Sequence, residues 1–135
     1  MKKKLIILTS LIIFGIVIFL VYNQLRVTTY DKVMLEMIDE SEEVEEITIE
    51  NKIDNTKVTI KDKELIERIT HKPKEMELKE QNVTPSIDYF IIIHTNKKNY
   101  DIGLGETGIH FGYAGSYSIV GDNILYQNLH HTKFE

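Results

Sequence analysis

Hydrophobic and polar positions fall into two regimes along this chain. Leu5–Tyr22 (LIILTSLIIFGIVIFLVY) is apolar all round, broken only by Thr9, Ser10 and Gly15. As a helix these residues reach roughly 27 Å, close to the thickness of bilayer hydrocarbon, and a helix satisfies its own backbone hydrogen bonds there. The pattern predicts one membrane-spanning helix. From Tyr30 onward the apolar residues become periodic, as they do where each element buries one face.

Tyr30, Val33, Met34, Met37 and Ile38 form an i, i+3, i+4, i+7, i+8 stripe, predicting an amphipathic helix whose apolar side faces a core or a partner helix. Ile47-Thr48-Ile49-Glu50 and Lys57-Val58-Thr59-Ile60 alternate as half-buried strands do, with the turn formers Asp54-Asn55 between them. Asp62 is placed to cap a short helix that buries Leu65, Ile66 and Ile69 and stops before Pro73. Met76 and Leu78 alternate with charged residues in a further strand. Ile87–Thr95 (IDYFIIIHT) is apolar on both faces, predicting a central strand covered on both sides. Strands follow over Tyr100–Leu104, Ile109–Tyr113 and Tyr117–Val120, and Gly121-Asp122-Asn123 opens a last short helix over Ile124–Leu129 or, failing that, a final strand. The expected fold is α+β, a mostly antiparallel sheet of about six or seven strands with two or three short helices behind a transmembrane helix.

Charge orients the anchor. Lys2, Lys3 and Lys4 precede it, whereas Arg26 and Lys32 beyond it are accompanied by Asp31 and Glu36. The positive-inside bias puts residues 1–4 in the cytoplasm, 5–22 in the membrane, 23–29 in a neck and 30–135 in an extracytoplasmic domain. A cleaved signal peptide is the competing reading. It is disfavoured because the apolar run is longer than an h-region and no small-x-small site follows it. The 113 residues after Tyr22 suffice for one domain; of 16 basic residues they keep 13, against all 21 acidic ones. A net charge of −8 excludes nucleic acid as a partner. Cysteine is absent, which excludes disulfides, thiolate catalysis and a lipidated N-terminus. The richness in Ile, Lys, Asn and Glu suggests a bacterial source with an AT-rich genome.

Candidate chemistry is sparse. Gly103-Leu104-Gly105-Glu106-Thr107-Gly108 matches G-x-G-x-x-G, but a strand follows where a dinucleotide fingerprint needs a helix. The glycines read instead as positive-φ positions of a hairpin turn. The acidic run Asp39–Glu46 (DESEEVEE) reads as a solvated connection or, more sharply, as a site for a cation or a basic partner; as a calcium loop it lacks the turn glycine. His94 and His110 could meet across strands near Asp101 or Glu106 as a metal or acid–base pair, while His130-His131 reads as a solvated tail. None of Ser10, Ser41, Ser86, Ser116 and Ser118 stands in a nucleophile elbow. No catalytic residue, metal or cofactor is expected. Tyr113 and Tyr117, in a setting of small residues, are the candidate contact surface.

The lysine-flanked anchor, the run Lys57–Ile69 (KVTIKDKELIERI) and the terminal Tyr117–Leu129 (YSIVGDNILYQNL) resemble uncharacterised single-pass membrane proteins of Gram-positive bacteria with a small extracytoplasmic α+β domain. The resemblance implies location and fold, and carries over no functional residue. The sequence therefore predicts a membrane-anchored interaction or regulatory module that binds a protein, peptide or envelope component. The alternatives are an envelope hydrolase using His94 and His110, and a structural subunit whose helix packs in a larger membrane complex.

Overall fold

In the computed structural model, which describes residues 1–131, the chain runs α1 (Lys2–Leu25), β1 (Val27–Thr29), α2 (Tyr30–Met37), β2 (Val44–Asn51), β3 (Thr56–Ile60) and α3 (Lys63–Thr70). It continues through β4 (Glu77–Gln81), β5 (Tyr89–Thr95), β6 (Asn99–Leu104), β7 (Gly108–Phe111), β8 (Gly115–Val120) and α4 (Ile124–His131). The predicted domain end at residue 135 lies outside the described residues.

The expected α+β architecture is present. α1 takes in the three lysines and reaches roughly 36 Å, and none of its residues is buried. It is long and apolar enough to cross a membrane, and it is not a core helix of the domain. The eight strands form one sheet in the order β1-β4-β8-β7-β6-β5-β2-β3, antiparallel at every pairing. Alternate strand positions (among them Ile47, Ile91, Ile102 and Phe111) join side chains from α2, α3 and α4 in a single core. All three helices thus lie on one face. α3 is capped as its sequence requires, the Asp62 carboxylate accepting from the Leu65 amide at 3.0 Å.

Three expectations need correction. The neck at 23–29 is not a free connector. α1 runs to Leu25, and Val27–Thr29 pairs with Glu77–Lys79 as an edge strand, which raises the strand count to eight. Arg26 alone separates helix from strand. Its carbonyl accepts from the Glu80 amide at 3.2 Å and its guanidinium donates to the Glu80 carbonyl at 2.9 Å. The second correction concerns β5, which is fully buried on one face only; Phe90, Ile92 and His94 on the other are half-buried. The third concerns the glycine motif. β4 and β5 stand four places apart in the sheet, so the 82–88 connection must cross it, and it does so on the face opposite the helices. A Cβ on Gly103 would lie 2.7 Å from Ile87 Cδ1, and one on Gly108 would lie 2.5 Å from Pro85 Cβ. At Gly105 it would run into the Ser86 carbonyl oxygen. The three glycines are there for close approach of the crossing chain. Among the described glycines the positive φ angles belong to Gly115 (93°) and Gly121 (78°).

Asn123 ties the β6–β7 turn to the start of α4. Its amide donates to the carbonyls of Gly105 (2.9 Å) and Glu106 (2.8 Å), while its own oxygen accepts from the Tyr126 amide and caps α4. The Tyr126 hydroxyl donates to Asp88 at the end of the crossing segment. His130, expected in a solvated tail, is exposed at the end of α4, with its ring stacked on Tyr126.

Candidate functional site

α2 buries Tyr30, Val33, Met34 and Met37, as the stripe predicts, and turns Leu35 outward at 56% exposure. The helix ends at Ile38, where the backbone becomes extended, and the acidic run begins. That run is partly latched onto the β5–β6 turn. Asp39 accepts from the Ser41 amide at 2.8 Å. The Glu42 carboxylate accepts the hydroxyls of Thr95 (2.7 Å) and Tyr100 (2.5 Å), and the Glu43 amide donates to the Asn96 side chain at 3.1 Å. Lys97 reaches Ser41 Oγ at 2.6 Å.

These donors explain how like charges sit together. The Ser41 bonds hold Asp39 below the usual carboxylate range, and the Tyr100 and Thr95 hydroxyls do the same for Glu42. Burial, aided by the Glu42 carboxylate, pushes the Tyr100 phenol up to about 12. A depressed carboxyl stabilises the fold above its ordinary 4.5 and loses that effect as pH falls through its folded value. A raised phenol stabilises below its ordinary 10.0 and loses the effect as pH rises toward 12. Amide shifts of Glu43 and Asn96 are therefore expected to hold constant between these limits and to move at both ends. Glu42→Gln should abolish the acid limb and spare the alkaline one; an unchanged acid limb would show that Glu42 is not the latch.

Between α2, the acidic run and the end of α3 lies a groove of about 290 Å³. Met34, Leu35, Ile38 and Val44 give it an apolar floor, and Asp31, Asp39, Glu40 and Glu42 an acidic rim. Such a groove suits a segment that offers an apolar side chain flanked by cations. The α2 stripe and the acidic run each pointed to a part of it in the sequence, and the latch brings rim and floor together.

The structure parts the two candidate tyrosines. Tyr113, in the β7–β8 turn, is 79% exposed. Tyr117 turns inward, its ring edge-on to Phe111 at 5.8 Å and its hydroxyl donating to the Ala114 carbonyl at 3.1 Å. Of the two candidate residues only Tyr113 presents its ring to solvent, with Lys98 lying 5.0 Å from the Tyr100 ring and 5.8 Å from the Tyr113 ring.

The two histidines are not brought together. Both stand on the sheet face opposite the helices, but His110 is level with Phe90 and His94 is four residues further along β5, roughly 13 Å away along the strands. His94 bonds Thr48 (3.0 Å) and Asn99 (2.9 Å), and His110 bonds Ser116 (2.8 Å). Neither ring has a carboxylate partner among these bonds. No group of three His, Asp or Glu residues among the described residues is arranged to hold a metal ion. Comparison with family models, curated proteins and solved structures finds no match to this chain.

Proposed function

We propose that this chain is a membrane-anchored extracytoplasmic interaction or regulatory module, and that its α2 groove takes a protein or peptide segment carrying an apolar residue flanked by lysine or arginine. The groove carries the reading, since it sets an apolar floor beside four carboxylate side chains. α1 supports the location by its length, its bare apolar surface and its N-terminal lysines. An anchor also relieves the groove of the need for high affinity, because a tethered binder meets a neighbour in the same membrane at high effective concentration.

The absence of cysteine makes the test clean. Leu35→Cys places a single thiol on the groove floor, at an exposed position where substitution costs little stability. A membrane-impermeant bifunctional reagent applied to intact cells is expected to label it and to capture a discrete adduct, whereas Ile53→Cys in the β2–β3 turn should be labelled without that adduct. Labelling at Leu35 with no adduct would refute the groove and leave the location standing. Labelling only after lysis would refute the location.

A further inference from the structure

We propose that the pocket between α2, the start of β6 and the β7–β8 turn receives a trimethylammonium group, and that Lys98 occupies it until such a ligand displaces the lysine. The pocket shares no lining residue with the α2 groove, so each site stands or falls without the other.

Register assembles the pocket. Lys98 and Tyr100 are two residues apart where the chain enters β6, and strand alternation turns both toward the face that carries the helices. The Gly112 amide donates to the Asp101 carbonyl at 3.0 Å, which holds the β7–β8 turn beside them and brings up Tyr113. The last turn of α2 adds Glu36 and Met37, and the space between these elements is about 310 Å³. The Tyr100 ring is buried and its hydroxyl donates to Glu42, so that wall is fixed. Tyr113 is exposed and is the wall free to adjust to a ligand.

A cation already marks the place. Lys98 Nζ lies 5.0 Å from the centre of the Tyr100 ring and 5.8 Å from that of Tyr113, within the range over which a ring face attracts positive charge. It has no hydrogen-bond or ion-pair partner among the described residues. Ring faces offer π electrons and no lone pairs, so the three N–H donors of the lysine are answered only by water. A trimethylammonium group carries the same charge and no N–H. It can shed its water and press its methyl groups on both rings without leaving a donor unpaired, which gives it the stronger attraction of a desolvated cation. Lys98 itself is exposed, and its ammonium returns to solvent when displaced. Glu36 is exposed and outside any ion pair among the described residues, so its carboxylate supplies the counter-charge. With Glu42 behind the Tyr100 ring, it also keeps anions out.

Choline titrated into the full chain in maltoside micelles, whose headgroups carry no ammonium, tests the site through the ring resonances of Tyr100 and Tyr113. We expect saturable shifts at both rings, and none with the neutral isostere of choline in which carbon replaces the nitrogen. Tyr113→Leu should weaken binding roughly tenfold and Glu36→Gln severalfold, whereas Lys98→Met, which keeps an apolar stem and removes the competing ammonium, should tighten it severalfold. All three positions are exposed, so the fold survives each change. Reconstitution in phosphatidylcholine and in phosphatidylglycerol vesicles separates the two sources of the group. Rings already shifted in phosphatidylcholine alone would assign it to a lipid headgroup, and rings shifted only when choline is added would assign it to a solute. An equal response to the isostere, or unchanged affinity in Tyr113→Leu, would overturn the proposal. So would binding confined to Lys98→Met, since Lys98 would then be a permanent occupant, or no binding in any chain.

Discussion

Gly105→Ala is expected to cost the domain on the order of 3 kcal/mol or more, a large part of the 5–15 kcal/mol typical of a folded domain. The added methyl would collide with the Ser86 carbonyl, which is backbone and cannot swing aside as a side chain would. Relief requires lifting the crossing segment off the sheet, and that segment is tied down by the Asp88 amide donating to the Leu104 carbonyl at 2.9 Å. Gly108→Ala meets the Pro85 ring at 2.5 Å and the Tyr117 carbonyl at 3.2 Å, and should behave alike. Gly112→Ala is the control. Its nearest neighbour would lie at an ordinary 3.5 Å, so its effect should be small. Thermal unfolding of the detergent-solubilised chain should place the first two roughly 10–15 °C below the parent. Equal midpoints for Gly105→Ala and Gly112→Ala would refute the close approach.

Tyr30→Ala should be as damaging for a different reason. Tyr30 is fully buried, its ring lies 6.0 Å from that of Phe111 on the sheet, and its hydroxyl donates to the Ile69 carbonyl in α3 at 2.9 Å. One side chain thus links α2, α3 and β7. Removing the ring leaves a cavity and an unpaired carbonyl, at a cost of about 3–5 kcal/mol. Tyr30→Phe keeps the ring and loses the single bond, about 1–2 kcal/mol. Urea unfolding of the two variants separates packing from hydrogen bonding. If Tyr30→Phe costs as much as Tyr30→Ala, the ring contributes nothing measurable and the packing account fails.

Much of this fold was legible where a residue's local pattern and its tertiary role agree. The α2 stripe, the Asp62 cap, the β2–β3 hairpin and the opening of α4 at Asn123 are all set by neighbours a few positions away in sequence. What the sequence hid depends on distant partners. β1 has three residues, too few to show alternation, and becomes a strand only because β4 lies beside it. The glycines at 103, 105 and 108 do stand at the β6–β7 hairpin turn, but they carry no sign of the Pro85–Ile87 segment above them, so the string alone suggests positive φ angles instead of close approach. The half-open face of β5 was masked by Phe90 and Ile92, which look like core residues in the sequence. The candidate site was less legible still. Tyr113 and Tyr117 differ by four positions in sequence and face opposite fates, and the acidic run could not announce that Thr95, Asn96 and Tyr100 would meet it. His94 and His110 were separable only once the register of three strands was known.

The join at Arg26 has a mechanical meaning for an anchored protein. With no slack between helix and sheet, any pull between the domain and α1 falls on the three-residue ladder between β1 and β4. That ladder ties with the β6–β7 pairing as the shortest in the sheet, and it alone sits at the rim. Under rising load it would part first and pay out a few residues of chain, leaving seven strands and the groove intact, so the attachment behaves as a fuse.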